Sequence, residues 1–248
     1  MSTPAIQLAV IGGSGLYALP QFEQEQALEP DTPYGAPSGP IRIGQLYGQR
    51  VAFLARHGEA HALPPHRVNY RANLHALAQL QPAAVLAINT VGGITPACAP
   101  RALVVPDQII DYTWGRASSF WDEAGPMRHA EFGEPYSARL RNRLLDAGQR
   151  AGVALVDGGC YGATQGPRFE TRAEIARMRQ DGCDLVGMTG MPEAALAREL
   201  ELDYTCLAPV ANWAAGCGDG EEISLDEVFA NLAATNSLLP RLLEALLA

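Results

Sequence analysis

The sequence contains no lysine, and all 18 of its basic residues are arginine. This absence excludes a P-loop lysine, a Schiff-base lysine and a pyridoxal phosphate anchor. A phosphate group must instead be held by arginine, hydroxyl groups or backbone N–H groups. The formal net charge of −9 disfavours general binding to nucleic acid or to an anionic membrane, because both present phosphate groups.

Patterns typical of disulfide frameworks, metal sites and membrane segments are also missing. The five cysteines are odd in number and have no CxxC spacing, so we expect reduced thiols in a cytoplasmic protein. The five histidines have no metal-ligand spacing, so we expect no metal. No apolar run approaches about 18 residues, and the N-terminus lacks a basic leader region, so we expect neither a transmembrane helix nor a signal peptide.

Apolar runs alternate with helical patterns along the chain, which is typical of an α/β protein. We predict strands at residues 6–11, 41–46, 51–55, 83–89, 154–158, 185–188 and 204–210, and a further apolar segment at 102–110. We predict helices at residues 69–80, 137–151, 172–181, 193–201 and 224–247, the last kinked or split by Pro240. This order predicts a largely parallel sheet with helices on both faces, and ligands collect at the carboxyl ends of such strands.

The glycine-rich turn after the first strand has two functional interpretations. Backbone N–H groups and the hydroxyl of Ser14 are suited to cradling a phosphate. Gly13, Gly15 and Ala18 also fit a dinucleotide-binding fingerprint, which would make the chain a non-catalytic NAD-binding or nucleotide-binding module. Pro20 disfavours that interpretation, because it shortens the helix that should hold a pyrophosphate.

Polar residues follow several other predicted strands or precede a helix. Arg56 and His57 offer donors for an oxyanion, and Thr90 is followed, after one residue, by the paired glycines Gly92 and Gly93. Phe169 and Glu170 are suited to stacking on a flat ring and accepting its N–H, and Asn212 ends a strand. Taken alone, Arg56 with His57 is more typical of a surface ion pair, and Thr90 and Asn212 are more typical of structural turns. Phe169 with Glu170 is equally compatible with a helix start.

Five stretches, taken in order, resemble the trimeric purine nucleoside phosphorylase and methylthioadenosine phosphorylase family. They are IGGSGLY (11–17), LARHG (54–58), PHRVNYRANL (65–74), GPRFETRAE (166–174) and GMTGMPEAALARE (187–199). The resemblance implies one α/β domain over residues 1–248, with a twisted mixed β-sheet flanked by helices, assembled as a homotrimer. It implies that inorganic phosphate, a co-substrate, attacks the anomeric carbon of a purine nucleoside, with no metal or organic cofactor.

The resemblance also assigns roles to particular residues. The implied phosphate site consists of Ser14, Arg56, His57, Thr90 and Thr189. Met188 matches the residue along the ribose, Phe169 the aromatic residue beside the base, and His129 a residue supplied by the neighbouring subunit. Glu170 and Asn212 match the residues that bind the base, and with His57 they are the predicted catalytic residues.

The chemistry at the base predicts a 6-oxopurine. The Glu170 carboxylate would accept N1–H, and the Asn212 amide would donate to O6 and accept from N7–H. A 6-aminopurine has an acceptor at N1 that would face Glu170. Methylthioadenosine phosphorylases, which carry aspartates near the Asn212 and Ala214 positions, lack the Glu170 carboxylate.

The sugar end predicts a 5′-methylthio group. Family members that bind a 5′-hydroxyl place a histidine where Leu225 aligns, whereas Leu225 and Val228 form an apolar wall. Such a wall would leave a hydroxyl unpaired. Both halves together predict phosphorolysis of S-methyl-5′-thioinosine in purine salvage. Phosphorolysis of methylthioadenosine and of inosine or guanosine remain the alternatives within the family.

Overall fold

A computed structural model describes residues 5–12, 21–122, 126–218 and 223–248. The strands are β1 (Leu8–Gly12), β2 (Glu23–Leu28), β3 (Ile41–Leu46), β4 (Gln49–Ala55), β5 (Val85–Ile88), β6 (Val91–Gly93), β7 (Leu103–Val105), β8 (Gln108–Asp111), β9 (Val156–Asp157), β10 (Cys160–Ala163), β11 (Leu185–Gly187) and β12 (Tyr204–Trp213). The helices are α1 (Tyr70–Gln79), α2 (Ala138–Ala151), α3 (Arg172–Gln180), α4 (Glu193–Glu199), α5 (Leu225–Asn236) and α6 (Leu239–Leu247).

These strands form one mixed sheet in the order β2-β3-β4-β1-β5-β12-β6-β11-β10-β8, and β7 pairs with β12 and β9. The pairs β2–β3, β3–β4, β6–β11 and β7–β12 are antiparallel, and the other pairs are parallel. The long strand β12 pairs with β5 along its first half and with β6 along its second half. The alternation of strands and helices predicted a largely parallel sheet. Most of the strand pairs are parallel, and the four antiparallel pairs make the sheet mixed.

Helices cover both faces of the sheet because strand side chains alternate between two hydrophobic clusters. In β1, Leu8 and Val10 pack into the cluster that contains apolar residues of α2 and α6. Ala9 and Ile11 face the opposite way, into the cluster that contains residues of α1 and α4. The prediction of a mixed sheet flanked by helices is confirmed.

Several element boundaries differ from the sequence prediction for identifiable reasons. The exposed polar strand β2 and the short strands β6 and β10 lack a long apolar run, so their sequences carry little strand signal. The apolar segment at residues 102–110 contributes to two strands, β7 and β8. The last predicted helix is split: α5 ends at Asn236, and Pro240 lies in the first turn of α6, where its missing N–H costs no hydrogen bond. No helix in the described ranges is long and apolar enough to cross a bilayer.

The sheet brings several polar segments to one place. Arg56 directly follows β4, and its N–H donates to the carbonyl of Gly12 at the end of β1 (3.1 Å). Asn89 and Thr90 lie between β5 and β6, Met188 follows β11, and Asn212 lies near the end of β12. These segments surround the cavity described next.

Candidate active site

A cavity of about 730 Å³ lies at these strand ends. Ten of the residues selected from the sequence line it: Arg56, His57, Thr90, Phe169, Glu170, Met188, Thr189, Asn212, Leu225 and Val228. Ser14 lies outside the described residues, as do Gly13, Gly15 and Ala18 of the alternative fingerprint. His129 is exposed and does not line the cavity of this single chain.

Arg56 is completely buried and pairs with a carboxylate from a distant part of the chain. Its Nε and Nη2 atoms donate to both oxygens of Glu193 (2.7 and 2.8 Å), the residue that begins α4. Nη2 also donates to Asn89 Oδ1, and Nη1 donates to the carbonyl of Ile88. Four of the five guanidinium hydrogens are thus used within the described part of the chain, and one Nη1 hydrogen remains for a ligand. Two of the Arg56 donors that the sequence offered for an oxyanion are therefore occupied by Glu193.

We expect Glu193→Gln to lower the free energy of unfolding by about 3–5 kcal/mol, because it leaves the buried Arg56 cation without its counter-charge. Tyr204 Oη, which donates to Glu193 Oε1 (2.9 Å), would also lose a charged acceptor. Urea unfolding measures the effect. The matched control is Asp157→Asn, which removes the exposed carboxylate that Arg141 contacts and should cost no more than about 1 kcal/mol. Equal losses in the two variants would contradict this assignment.

The ring of His57 has a defined tautomer. Its Nδ1 lies 2.7 Å from the carbonyl oxygen of Leu63, which only accepts, so Nδ1 carries a hydrogen. Burial, and then the positive charge of Arg56, lower the pKa of His57 to about 4. The neutral ring therefore presents Nε2 as an acceptor, suited to a hydroxyl of a protonated phosphate. The sequence predicted a second donor for the anion, whereas this tautomer supplies an acceptor.

We predict that His57 titrates with a pKa of about 4 rather than near the ordinary 6.5. Because folding lowers the pKa of His57, the unfolded chain binds this proton more readily. The contribution of His57 to stability is therefore complete above about pH 6.5 and declines as the pH falls toward 4. An NMR titration of labelled histidine, assigned with His57→Gln, measures the midpoint. A midpoint near 6.5 would refute the buried neutral ring.

Thr189 is held with its hydroxyl hydrogen available. Asn89 Nδ2 donates to Thr189 Oγ1 (2.7 Å), so the hydroxyl acts as an acceptor there and can donate onward to a ligand. The N–H of Thr189 donates weakly to the hydroxyl of Tyr161 (3.4 Å), a residue with no exposed surface. A side chain at Gly190 would come within 2.6 Å of the Tyr161 ring, so this glycine makes room for it.

Glu170 and Asn212 line the other part of the cavity. Glu170 Oε1 accepts from the hydroxyl of Thr164 (2.6 Å), which orients the carboxylate. A register shift between Val210 and Asn212 in the pairing of β12 with β6 redirects the strand immediately before Asn212. Asn212 Nδ2 donates to the carbonyl of Trp213 (2.7 Å), and its second Nδ2 hydrogen and Oδ1 have no other partner within the described residues.

The first turns of α5 supply an apolar wall. Ser224 caps the helix by accepting the N–H of Glu227 (3.5 Å), and Leu225 and Val228 follow on the cavity side. Leu225 is 58% exposed and Phe229, which also lines the cavity, is 62% exposed. Phe229 was not selected from the sequence, although it lies next to Val228.

Glu193, Asn89 and Tyr161 are the other cavity-supporting residues that the sequence did not single out. Asn89 connects Arg56 to Thr189, because it accepts from Arg56 Nη2 and donates to Thr189 Oγ1, whereas Glu193 pairs with Arg56 directly. Glu193 lies in the stretch GMTGMPEAALARE, and Asn89 directly precedes Thr90, so these two were close to residues selected from the sequence, whereas Tyr161 was not. A glutamate in the otherwise apolar stretch PEAALA was the available signal, because a buried carboxylate requires a partner.

Comparisons with known proteins identify the family. Residues 7–248 match the model of the phosphorylase superfamily, and the chain belongs to this family. It is 65% identical over 244 residues to a probable S-methyl-5′-thioinosine phosphorylase of Xanthomonas campestris pv. campestris, covering 98% of both chains. A protein of the same description from Xylella fastidiosa is 63% identical over 239 residues, covering 96% of both chains.

A solved structure agrees in fold. The methylthioadenosine phosphorylase sourced from an antarctic soil metagenomic library superposes with a TM-score of 0.91 at 35% sequence identity. The match covers 98% of this chain and 86% of that one. The sequence-based assignment to the nucleoside phosphorylase family and its fold is confirmed.

Proposed function

We propose that this chain catalyses phosphorolysis of S-methyl-5′-thioinosine, giving hypoxanthine and 5-methylthioribose 1-phosphate. One observation carries the proposal: a single cavity contains hydroxyl, imidazole and guanidinium groups, a carboxylate–amide pair and an apolar wall. The hydroxyl, imidazole and guanidinium groups match the phosphate, the carboxylate–amide pair matches the 6-oxopurine, and the apolar wall matches the methylthio group. The names of the relatives at 63–65% identity support the same reaction.

At the phosphate end, Arg56 Nη1 and Thr189 Oγ1 donate to the anion, and His57 Nε2 accepts from its hydroxyl. We include Ser14 and Thr90 as further donors. A phosphate oxygen attacks C1′ as the C1′–N9 bond breaks, and the electron pair of that bond moves into the purine. Because Glu193 neutralises Arg56 and His57 is uncharged, much of the phosphate charge remains to stabilise the developing sugar cation.

At the base end, Glu170 accepts N1–H, and Asn212 donates to O6 and accepts from N7–H. N7 takes up a proton from solvent, which balances the proton that the phosphate releases when its oxygen bonds to C1′. Phe169, half exposed at the mouth of the cavity, lies beside the ring. The Asn212 contacts strengthen as electrons enter the purine, because O6 becomes a better acceptor, so they favour the transition state over the bound substrate. Glu170 orients the base through N1–H. Asn212 does not titrate and therefore acts as a hydrogen-bond partner.

At the sugar end, Met188 lies along the ribose while Leu225 and Val228 contact the methylthio group. We propose that the chain works as a cytoplasmic homotrimer without a metal or organic cofactor. The exposure of His129 in a single chain is compatible with its reaching the cavity of a neighbouring subunit.

Product analysis with and without phosphate tests the reaction class. Phosphorolysis yields hypoxanthine and 5-methylthioribose 1-phosphate in equal amounts, and only when phosphate is supplied. Release of free methylthioribose without phosphate would indicate hydrolysis instead. No cleavage of any purine nucleoside, combined with thermal stabilisation by NAD, would favour the binding-module alternative.

Two observations bear on the alternatives. The structural likeness to a methylthioadenosine phosphorylase supports a 6-aminopurine substrate as the second candidate, but Glu170 and Asn212 disfavour it. An NAD-binding module requires a helical crossover from β1 to a parallel strand. Here the next described strand after β1 is β2, which pairs antiparallel with β3 and not with β1. This order disfavours the NAD-binding alternative.

A further inference from the structure

Two chain segments bring the two halves of the cavity together. The segment from Thr164 to Glu170 follows β10 and carries Phe169 and Glu170 at the base end. The turn from Met188 to Met191 follows the neighbouring strand β11 and carries Thr189 at the phosphate end. The separation between these segments sets the separation between the base-binding and phosphate-binding groups.

The guanidinium of Arg116 lies between the two segments and bonds to both. Nη1 donates to the carbonyls of Met188 (2.9 Å) and Met191 (2.5 Å). Nη2 donates to the carbonyls of Thr164 (3.2 Å) and Gln165 (2.8 Å), and Nε donates to Gln165 Oε1 (3.1 Å). Nη1 also lies 3.3 Å from the hydroxyl of Tyr70, so six acceptors share the five hydrogens of the guanidinium group.

Arg116 differs from an ordinary structural arginine in its partners. Its contacts within the described residues include no carboxylate, and its charge is directed at four backbone carbonyls on the two cavity segments. The guanidinium also lies over the Tyr70 ring, 5.5 Å from its centroid. Charge-assisted bonds to several carbonyls hold two loops at one distance more firmly than neutral bonds do. Arg116 does not line the cavity, so any effect on the reaction must act through these loops.

We propose that Arg116 is a positioning residue that fixes the distance between the base-binding Glu170 and the phosphate-side turn at Met188 and Thr189. This inference rests on the proposed function, because it requires a nucleoside and phosphate to occupy the cavity together. Loss of the guanidinium lets the two loops separate, and a misplacement of about 1 Å between reacting groups costs on the order of 10²-fold in rate.

The test compares Arg116→Ala with Arg141→Ala. Arg141 also donates to two carbonyls, those of Val105 and Pro106, and to a carboxylate, but it does not line or border the cavity. We expect Arg116→Ala to lower kcat/KM about 10²-fold, through raised KM for both nucleoside and phosphate as well as lower kcat. Millimolar guanidinium or methylguanidinium should restore activity at least tenfold. Arg141→Ala should keep its kcat/KM within about threefold of the wild-type value, even if its thermal midpoint falls as far as that of Arg116→Ala.

Arg116→Lys keeps the charge but reaches fewer carbonyls, so it should fold and show an intermediate KM for both substrates. An unchanged kcat/KM in folded Arg116→Ala would overturn the inference. It would also be overturned if folded Arg116→Ala and folded Arg116→Lys both lost activity and added guanidinium restored neither. Wild-type protein without phosphorolytic activity would instead refute the proposed function, so the two failures are distinguishable.

Discussion

Asn212→Asp should lower the ratio of kcat/KM for methylthioinosine to kcat/KM for methylthioadenosine by at least 10²-fold. The substrate preference thereby shifts toward 6-aminopurines. A carboxylate at this position cannot donate to O6, whereas it accepts from a 6-amino group. A site that pairs polar groups with its substrate rejects the mispaired analogue by several kcal/mol, on the order of 10⁴-fold in favourable cases. The shift is partial because Glu170 still faces N1.

The matched control is Asn231→Asp, the same chemical change on α5. Asn231 Nδ2 donates to the carbonyl of Ala211, next to Asn212, but Asn231 does not line the cavity. Its substrate ratio should equal that of the wild type. An unchanged ratio in Asn212→Asp would show that Asn212 does not read the 6-substituent.

Leu225→His should change the 5′ preference by about 10²-fold, lowering kcat/KM for methylthioinosine and raising it for inosine. The substitution removes apolar contact with the methylthio group, and each methylene-sized contact in such a pocket is worth about 1–3 kcal/mol. The imidazole offers a partner for the 5′-hydroxyl, which an apolar wall leaves unpaired. Competition between the two nucleosides in one reaction measures the ratio directly.

Asp226→Asn is the control for this prediction. Asp226 neighbours Leu225 in the first turn of α5, is exposed and does not line the cavity. Its ratio of inosine to methylthioinosine turnover should remain that of the wild type. If Leu225→His also kept that ratio, the apolar wall would not be the 5′-binding surface.

The local periodicity of the sequence was enough to locate most of the sheet. Buried strands such as β1 and β5 were predicted from their apolar runs, and α2 was predicted from its amphipathic spacing. The exposed strand β2 and the glycine-containing strand β6 were missed, because pairing with neighbours far along the chain specifies them more than their own residues do.

The resemblance identified ten residues that line the cavity, but not how they are held. The Arg56–Glu193 pair joins residues 137 positions apart, and no spacing rule reveals it. The tautomer of His57 depends on where the Leu63 carbonyl lies, and the position of Asn212 depends on a register shift in β12. These features follow from tertiary packing, so they became visible only in the folded chain.

The charge state of the phosphate end has a mechanistic consequence. Arg56 is balanced by Glu193, and His57 is neutral in the physiological range. In the proposed mechanism, directed hydrogen bonds therefore position phosphate without cancelling its charge. Such a site suits a reaction in which the anion itself stabilises a cationic sugar.

The most direct test is purine release from methylthioinosine, inosine and methylthioadenosine, each with and without phosphate. We expect fast release from methylthioinosine only, and only with phosphate. Preference for methylthioadenosine would contradict the roles of Glu170 and Asn212, and preference for inosine would contradict the apolar wall at Leu225 and Val228. Release that does not depend on phosphate would contradict the central claim that this chain is a phosphorylase.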